Sequence, residues 1–270
     1  MRVGRGLLRK LVLITGASAG IGEAFAKTYA MNGYDLIVSA RREDRLVALA
    51  HSLSESYGVD VSVATADLSR PDAPLDLLNR IEARGRPLDA VVNNAGFGLP
   101  GTFVETSWED QRDFLQLMLT TPTEICHRVL PGMQARGFGR IINVASLVSF
   151  LPGSKGHTLY GPVKSALMKL SESLNEETAG TGVHVTAVCP GLTYSEFHDV
   201  NGQRERVSEL PDYMWQKADE VAEAGFEAVE ANRPVVVTGG VNKAIAALAH
   251  VLPDPVARAA MRQQSRYVRD

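Results

Sequence analysis

Apolar residues in this chain fall into two patterns that alternate from end to end. The short runs Leu11-Val12-Leu13-Ile14 and Leu36-Ile37-Val38, with the segments 61–64, 90–93, 140–145, 184–188 and 234–237, are too brief for buried helices and predict strands. Between them, apolar residues recur at three- and four-residue spacing. That spacing predicts helices after Gly22 and near 43–57, 72–84, 107–136, 158–180, 218–232 and 241–252. Strands that lack polar alternation are buried on both faces. The alternation therefore predicts an α/β fold: a doubly wound parallel sheet of about seven strands, with helices on both faces and crossovers of one hand. Ligands of such sheets bind beyond the carboxyl ends of the strands. The length, residues 1–270, suits a single domain. The most polar irregular stretch, about 198–212, lies within a segment at about 191–215 expected to form a lid over a substrate.

The first predicted strand runs into Thr15-Gly16-Ala17-Ser18-Ala19-Gly20-Ile21-Gly22, and a helical pattern with Ala24, Phe25 and Tyr29 follows. Strand, glycine-rich turn and helix in this order make a nucleotide site. Gly16 permits the tight turn, Gly20 lets backbone approach a pyrophosphate, and Gly22 lets the helix pack close to the strand. Ser18, Ala19 and Ile21 complete the turn, and the free N–H groups at the helix start favour a phosphate. The second strand ends at Ala40, 24 residues after Gly16. An acidic residue there would hold the 2′-hydroxyl of an adenosine ribose, whereas arginine suits a 2′-phosphate. Here Arg41 and Arg42 follow Ala40, and guanidinium pairs with phosphate in a bidentate way. The expected cofactor is NADP(H) rather than NAD(H).

Tyr160 and Lys164 stand one turn apart in the helix expected near 158–180, so they share a face. A tyrosine hydroxyl, with a reference pKa of about 10, needs a stabilised anion to work as a base at neutral pH. A cation within about 4–6 Å lowers that pKa, and Lys164 is placed to be the cation. Pro162 falls in the first turn of this helix, where a missing N–H is tolerated.

In order and spacing, TGASAGIG at 15–22, ARRED at 40–44, DLS at 67–69, NNAG at 93–96, Ser146 in INVAS, YGPVK at 160–164 and PGLTYSEF at 190–197 resemble the short-chain dehydrogenase/reductase family. The resemblance runs from about Leu11 to about Thr238. ARRED, PGLTYSEF and the C-terminal VVVTGG are most similar to a bacterial subgroup of broad-specificity NADP-linked members. The resemblance implies a single Rossmann-type domain, a nicotinamide cofactor and hydride transfer at a carbonyl or alcohol. It makes Tyr160 the acid/base, Lys164 its partner and Ser146 a hydrogen-bonding group for the substrate oxygen. It also implies that Asp67 and Leu68 line the adenine pocket, and that Asn94, Ala95 and Gly96 support the central strand and the cofactor. Pro190, Gly191, Thr193 and Ser195 would contact the nicotinamide end. One position departs from the pattern. The family usually carries an asparagine whose backbone carbonyl helps hold a relay water, whereas this chain has Met118 in Leu117-Met118-Leu119-Thr120-Thr121. Methionine keeps the carbonyl but lacks the amide that fixes the local helix distortion. This departure sustains an alternative expectation, an NADP-binding scaffold or sensor with little turnover.

Composition narrows the remainder. Hydrophobic content of 45% and charged content of 22% are ordinary for a globular protein, and a net charge of −3 gives no general attraction to nucleic acid. The basic start MRVGRGLLRK precedes an apolar run too short for a signal peptide or span, so no stable membrane insertion is expected. Cys126 and Cys189 suit small buried side chains in a reducing compartment, and the expected location is cytoplasmic. The six histidines lack metal-ligand spacing, so no metal is expected. Residues expected at the nicotinamide end are largely apolar, Phe97, Leu147, Phe150, Leu192, Tyr194, Phe197, Tyr213 and Trp215 among them. Only Lys155 is placed to clamp a carboxylate. A bulky apolar ketone, aldehyde or secondary alcohol is the expected substrate. The helices at 107–136 and 158–180 match those through which the family commonly associates, which implies a homodimer or homotetramer. On the second of these helices, Leu159, Val163, Leu167, Leu170 and Leu174 form an apolar stripe shared between core and surface.

Overall fold

The computed structural model describes residues 9–99, 101–153, 158–194 and 211–252, with 255, 256 and 258. Its strands are β1 (Leu11–Thr15), β2 (Asp35–Ser39), β3 (Val61–Val63), β4 (Ala90–Asn93), β5 (Gly139–Val144), β6 (Val183–Cys189) and β7 (Val235–Val237). They form one parallel sheet of seven strands in the order β3-β2-β1-β4-β5-β6-β7. Helices α1 (Gly20–Met31), α2 (Glu43–Tyr57), α3 (Ala73–Glu82), α4 (Trp108–Leu115), α5 (Thr121–Arg136), α6 (Tyr160–Glu177), α7 (Ala218–Glu230) and α8 (Gly240–Val251) accompany it. This is the doubly wound Rossmann-type domain that the alternation of patterns predicts.

Most strands feed two cores because successive side chains point to opposite faces. From β1, Val12 and Ile14 join Phe25 of α1, Leu46 of α2 and Val221 of α7. Leu11 and Leu13 join Leu77 of α3 and Ile125 and Met133 of α5 on the other face. Burial of one such aliphatic side chain contributes roughly 1.5–3 kcal/mol. Helix α7 comes unusually close at Gly225, where a Cβ would lie 2.8 Å from the Phe25 ring and 2.9 Å from Val188. A larger residue there would push α7 off the sheet.

Register keeps the carboxyl ends level. Thr15 pairs with Ser39, Asn93 with Asn143, and Val144 with Val188. Gly16, Asn94, Ser146 and Pro190 therefore leave the sheet along one edge. The order of connection reverses between β1 and β4, which opens a crevice at that edge.

The continuous helix expected at 107–136 is broken. Helix α4 ends at Leu115, a π turn occupies Gln116–Thr120, and α5 starts at Thr121. A single π turn of five residues inside a long helical pattern is too short for periodicity to reveal it. Of the stripe on α6, Val163 and Leu167 are 2% exposed each and belong to the interior. Of the expected lid, 195–210 lie outside the described residues, and with them Ser195 and Phe197. Lys155 also lies outside them. Both cysteines are buried and free. Among the described residues, no helix is long and apolar enough to cross a membrane.

Candidate active site

The glycine-rich turn is locked to the sheet at the switch point. The Thr15 hydroxyl accepts the N–H groups of Asn94 and Ala95 at 3.0 and 3.1 Å and donates to the Val92 carbonyl at 3.2 Å. Asn94 Nδ2 returns to the carbonyls of Thr15 and Gly16 at 3.1 and 3.2 Å. Asn94 thus braces the turn from behind. Gly16 has φ +67°, and a Cβ on it would lie 2.8 Å from both Ala95 Cα and Asn94 Nδ2. A Cβ on Gly22 would lie 2.5 Å from Asn94 Nδ2. Gly20 also takes a positive φ, 59°. The N-cap of α1, Ala19, supplies no side-chain acceptor for the first N–H groups of the helix. Arg42 reaches over this turn, with Nε and Nη2 3.3 and 3.0 Å from Ser18 Oγ. Arg41 is exposed at the same strand end. A cradle with no room for side chains, an uncapped helix start and an adjacent guanidinium together fit a dinucleotide bearing an extra phosphate.

The pair expected at the adenine pocket divides. Asp67 is exposed, and its Oδ1 accepts the Ser69 N–H at 3.2 Å and the Ser69 hydroxyl at 2.7 Å. Leu68 is 3% exposed, and its side chain joins the core beside Leu77 and Ile125. Its carbonyl accepts the Thr121 hydroxyl at 2.8 Å. Leu68 therefore anchors the loop through its side chain, while Asp67 faces outward. Gly96 lies against the π turn, where a Cβ would meet Met118 Sδ at 2.5 Å. The distortion that the missing amide put in question is present.

The end of β5 and the start of α6 bring Ser146, Tyr160 and Lys164 together. Ser146 continues from β5, and its Oγ accepts the Val148 N–H at 3.3 Å. The Tyr160 hydroxyl hydrogen-bonds the Ser146 side chain. Lys164 is 6% exposed, donates from Nζ to the Val144 carbonyl at 2.6 Å, and lies 5.8 Å from the Tyr160 ring centroid. Burial raises the Tyr160 pKa above its ordinary value, and the bond to Ser146 only partly opposes this. Burial pushes Lys164 down to about 8. The expectation that Lys164 lowers the tyrosine pKa is thus reversed in the protein alone. The ammonium is turned onto a backbone carbonyl, and desolvation of a phenolate is the largest influence on Tyr160. Cys189, at the end of β6, sits beside the Ser146 N–H, and burial pushes its thiol up to about 12.

The next turn, Pro190–Thr193, is tied to Ser146 through its neighbour, because Leu147 N–H donates to the Pro190 carbonyl at 2.8 Å. Behind it lie Gln216, Thr238 and Asn242, all buried and none singled out by the sequence. Their only signal was a polar residue, Asn242, inside the apolar pattern GVNKAIAALAHV. Apolar side chains surround this end. Phe97 packs edge-on to Phe114 with centroids 5.6 Å apart, and Tyr194 stacks on Trp215 at 4.7 Å. Tyr213 is 71% exposed.

Residues 10–206 match the model of the short chain dehydrogenase family. The chain is 34% identical over 186 residues to an NADP-dependent 3-hydroxy acid dehydrogenase of Salmonella typhi, covering 67% of this chain and 72% of that protein. A short-chain dehydrogenase from Sphingobium yanoikuyae, solved in complex with NADPH, is 32% identical and superposes with a TM-score of 0.76 over 91% of this chain and 97% of that one. A bulky-bulky ketone specific alcohol dehydrogenase from Comamonas testosteroni is 27% identical, with a TM-score of 0.75 over 96% of this chain and 93% of that one.

Proposed function

The chain belongs to the short-chain dehydrogenase family, and from that premise we propose that it is an NADP(H)-dependent oxidoreductase acting on the carbonyl or secondary alcohol of a bulky apolar substrate. The observation that carries this reading is the meeting of Tyr160, Ser146 and Lys164 at the sheet edge that also bears the glycine turn and Arg42. Gly16, Ser18, Ala19, Gly20, Ile21 and Gly22 would hold the pyrophosphate, Arg41 and Arg42 the 2′-phosphate, and Asp67 the adenine side. When bound, the nicotinamide ring supplies or accepts the hydride. In reduction, Ser146 and Tyr160 donate hydrogen bonds to the substrate oxygen. Tyr160 then gives its proton to the alkoxide that forms as the carbon gains hydride. Lys164 stabilises the tyrosinate left behind. The raised pKa of Tyr160 suits this direction, because the hydroxyl keeps its proton through neutral pH.

The apolar surroundings of Phe97, Leu147 and the Tyr194–Trp215 stack support a bulky substrate, as does likeness to a dehydrogenase specific for bulky ketones. The relative that acts on 3-hydroxy acids points the other way. Comparing kcat/KM for an aryl or medium-chain ketone with that for a short keto acid, followed by NADPH absorbance, decides between them. A preference for the keto acid would overturn the apolar reading. The second reading, an NADP-binding scaffold with little turnover, rests on Met118. It predicts NADPH binding without reduction of any ketone in such a screen. A homodimer or homotetramer is proposed from the family's habit of association. Light scattering that detects only a 29.1 kDa species would exclude it. Two buried free thiols suit a reducing, cytoplasmic location.

A further inference from the structure

We propose that Asn242, Gln216 and Thr238 are positioning residues that hold the Pro190–Thr193 turn in the shape required by the nicotinamide half of the cofactor. The proposal rests on the NADP(H) reading above. Gln216 stitches the turn through its main chain. Its N–H donates to the Leu192 carbonyl at 3.0 Å, its carbonyl accepts the Tyr194 N–H at 3.0 Å, and it forms an isolated parallel bridge with Thr193. Its side chain meets the Thr238 hydroxyl at 2.8 Å whichever way the amide is turned. The Gln216 amide also lies 3.0 Å from Asn242 Nδ2, which donates to the Thr238 carbonyl at 2.9 Å. The Asn242 amide also lies flat against Gly191, where a Cβ would come 2.6 Å from Asn242 Cγ. The turn can therefore sit where it does, against Asn242, only with glycine at 191.

Gln216, Thr238 and Asn242 are 8%, 2% and 5% exposed. Buried amides and hydroxyls are costly unless paired, and an apolar trio would fill the same space without that requirement. What the polar trio adds is directional bonding, which fixes the positions of its three side chains more narrowly than apolar packing would. That geometry reaches the chemistry by a short path. The turn bonds Leu147, the residue after Ser146, through the Pro190 carbonyl. The network sits at β6 and β7, whereas the glycine turn and Arg42 sit at β1 and β2, with β4 and β5 between them. Its influence should fall on one half of the cofactor and spare the other.

Asn242→Leu keeps the branched shape and removes the amide that bonds the Thr238 carbonyl and faces Gln216. The full-length variant and the wild type are titrated with NADPH and with 2′,5′-ADP, which has the adenine half alone, and both proteins are melted. NADPH should bind about tenfold more weakly to the variant, while 2′,5′-ADP stays within about twofold of wild type. Equal weakening of both ligands would show a general disturbance of the fold and overturn the proposal, as would unchanged NADPH binding. Wild-type protein that binds neither ligand would remove the cofactor reading and this proposal with it, a result distinct from either of those. Thr238→Val deletes one hydroxyl with little change of shape and carries the same test if Asn242→Leu does not fold. Its expected loss is about threefold for NADPH and none for 2′,5′-ADP.

Discussion

Lys164→Met should stabilise the protein at neutral pH while removing its activity. Lys164 is 6% exposed, and burial lowers its pKa from the ordinary 10.5 to about 8. Between those two values the unfolded chain binds more protons than the native one, so stability rises with pH there. Below about pH 8 the native protein bears the full cost of a charge held out of water. The lowering from 10.5 to about 8 corresponds to roughly 3 kcal/mol, at about 1.36 kcal/mol for each pH unit. Methionine is unbranched and adaptable, and it fills the same channel without charge. It forfeits the 2.6 Å bond from Nζ to the Val144 carbonyl. A hydrogen bond to a charged group is worth about 1.5–3 kcal/mol, which offsets half or more of the gain. The net expectation is about 1 kcal/mol of stabilisation, or a Tm higher by roughly 2–4 °C in a domain of this size. Its pH dependence is the sharper test. The advantage of the variant is greatest at about pH 7 and shrinks as pH climbs towards about 10.5, because a lysine neutral in both states carries no such cost. Thermal melts of both proteins by circular dichroism at about pH 7 and about pH 10 read this directly. A variant less stable than wild type at pH 7, or an advantage that does not shrink with pH, would refute the view that Lys164 is a charge kept against the preference of its surroundings.

Tyr160→Phe should lose at least about 100-fold in turnover while NADPH titrates as before, since one hydroxyl leaves with little volume. Retention of more than about a tenth of the wild-type rate would place the acid elsewhere. Arg42→Ala should weaken NADPH at least about tenfold and leave NADH within about twofold by fluorescence titration, because the guanidinium lies over Ser18 at the turn. Equal effects on both cofactors would defeat the assignment. Alcohol oxidation should accelerate as pH rises above neutral, since burial keeps Tyr160 protonated and oxidation needs its anion. Reduction should hold steady to about pH 8 and then fall as Lys164 loses its charge. Parallel pH–rate profiles in the two directions check both signs. Met118→Asn should change kcat less than about tenfold, and a rise of several hundredfold would favour the scaffold reading.

The sheet was legible because its strands are nearly unbroken apolar runs, and burial on both faces leaves no other use for such runs in a chain of this kind. The glycine turn was legible because Gly16 and Gly22 have no space for a side chain, a constraint that sequence records directly. Gly225 records the same constraint on α7, but without a flanking strand and turn it looks like any helical glycine. Charge signs were legible, and charge energies were not. The sequence places Lys164 beside Tyr160, but it does not show that Nζ turns to Val144 or that Lys164 is buried. Likewise Arg41 and Arg42 are equivalent as letters, and only the fold sends Arg42 to Ser18. The Gln216–Thr238–Asn242 network joins residues from a loop, a strand end and a helix start, so no local pattern contains it.

The break between α4 and α5 shows how a local sequence feature can stand in for a missing side chain. In a regular α-helix, the N–H of residue 122 would bond the carbonyl of Met118. Residue 122 is proline, which has no N–H and whose ring crowds that carbonyl. The backbone widens at this point, and Thr121 N–H reaches back five residues to the Gln116 carbonyl. Neighbouring side chains hold the widened turn. The Thr123 hydroxyl donates to the Leu119 carbonyl at 2.7 Å, Gln116 Nε2 donates to Thr121 Oγ1 at 3.3 Å, and Thr121 is itself bonded to Leu68. Met118 keeps a carbonyl without an i+4 donor, and its side chain, 2% exposed, fills an apolar cluster with Phe114 and Val163 beside Tyr160. An amide placed there would enter a cluster that is apolar apart from Tyr160, where a buried polar group is costly unless it finds a partner. The distortion therefore follows from Pro122 and its threonine neighbours, and the departure at Met118 is compensated within one turn of the same helix.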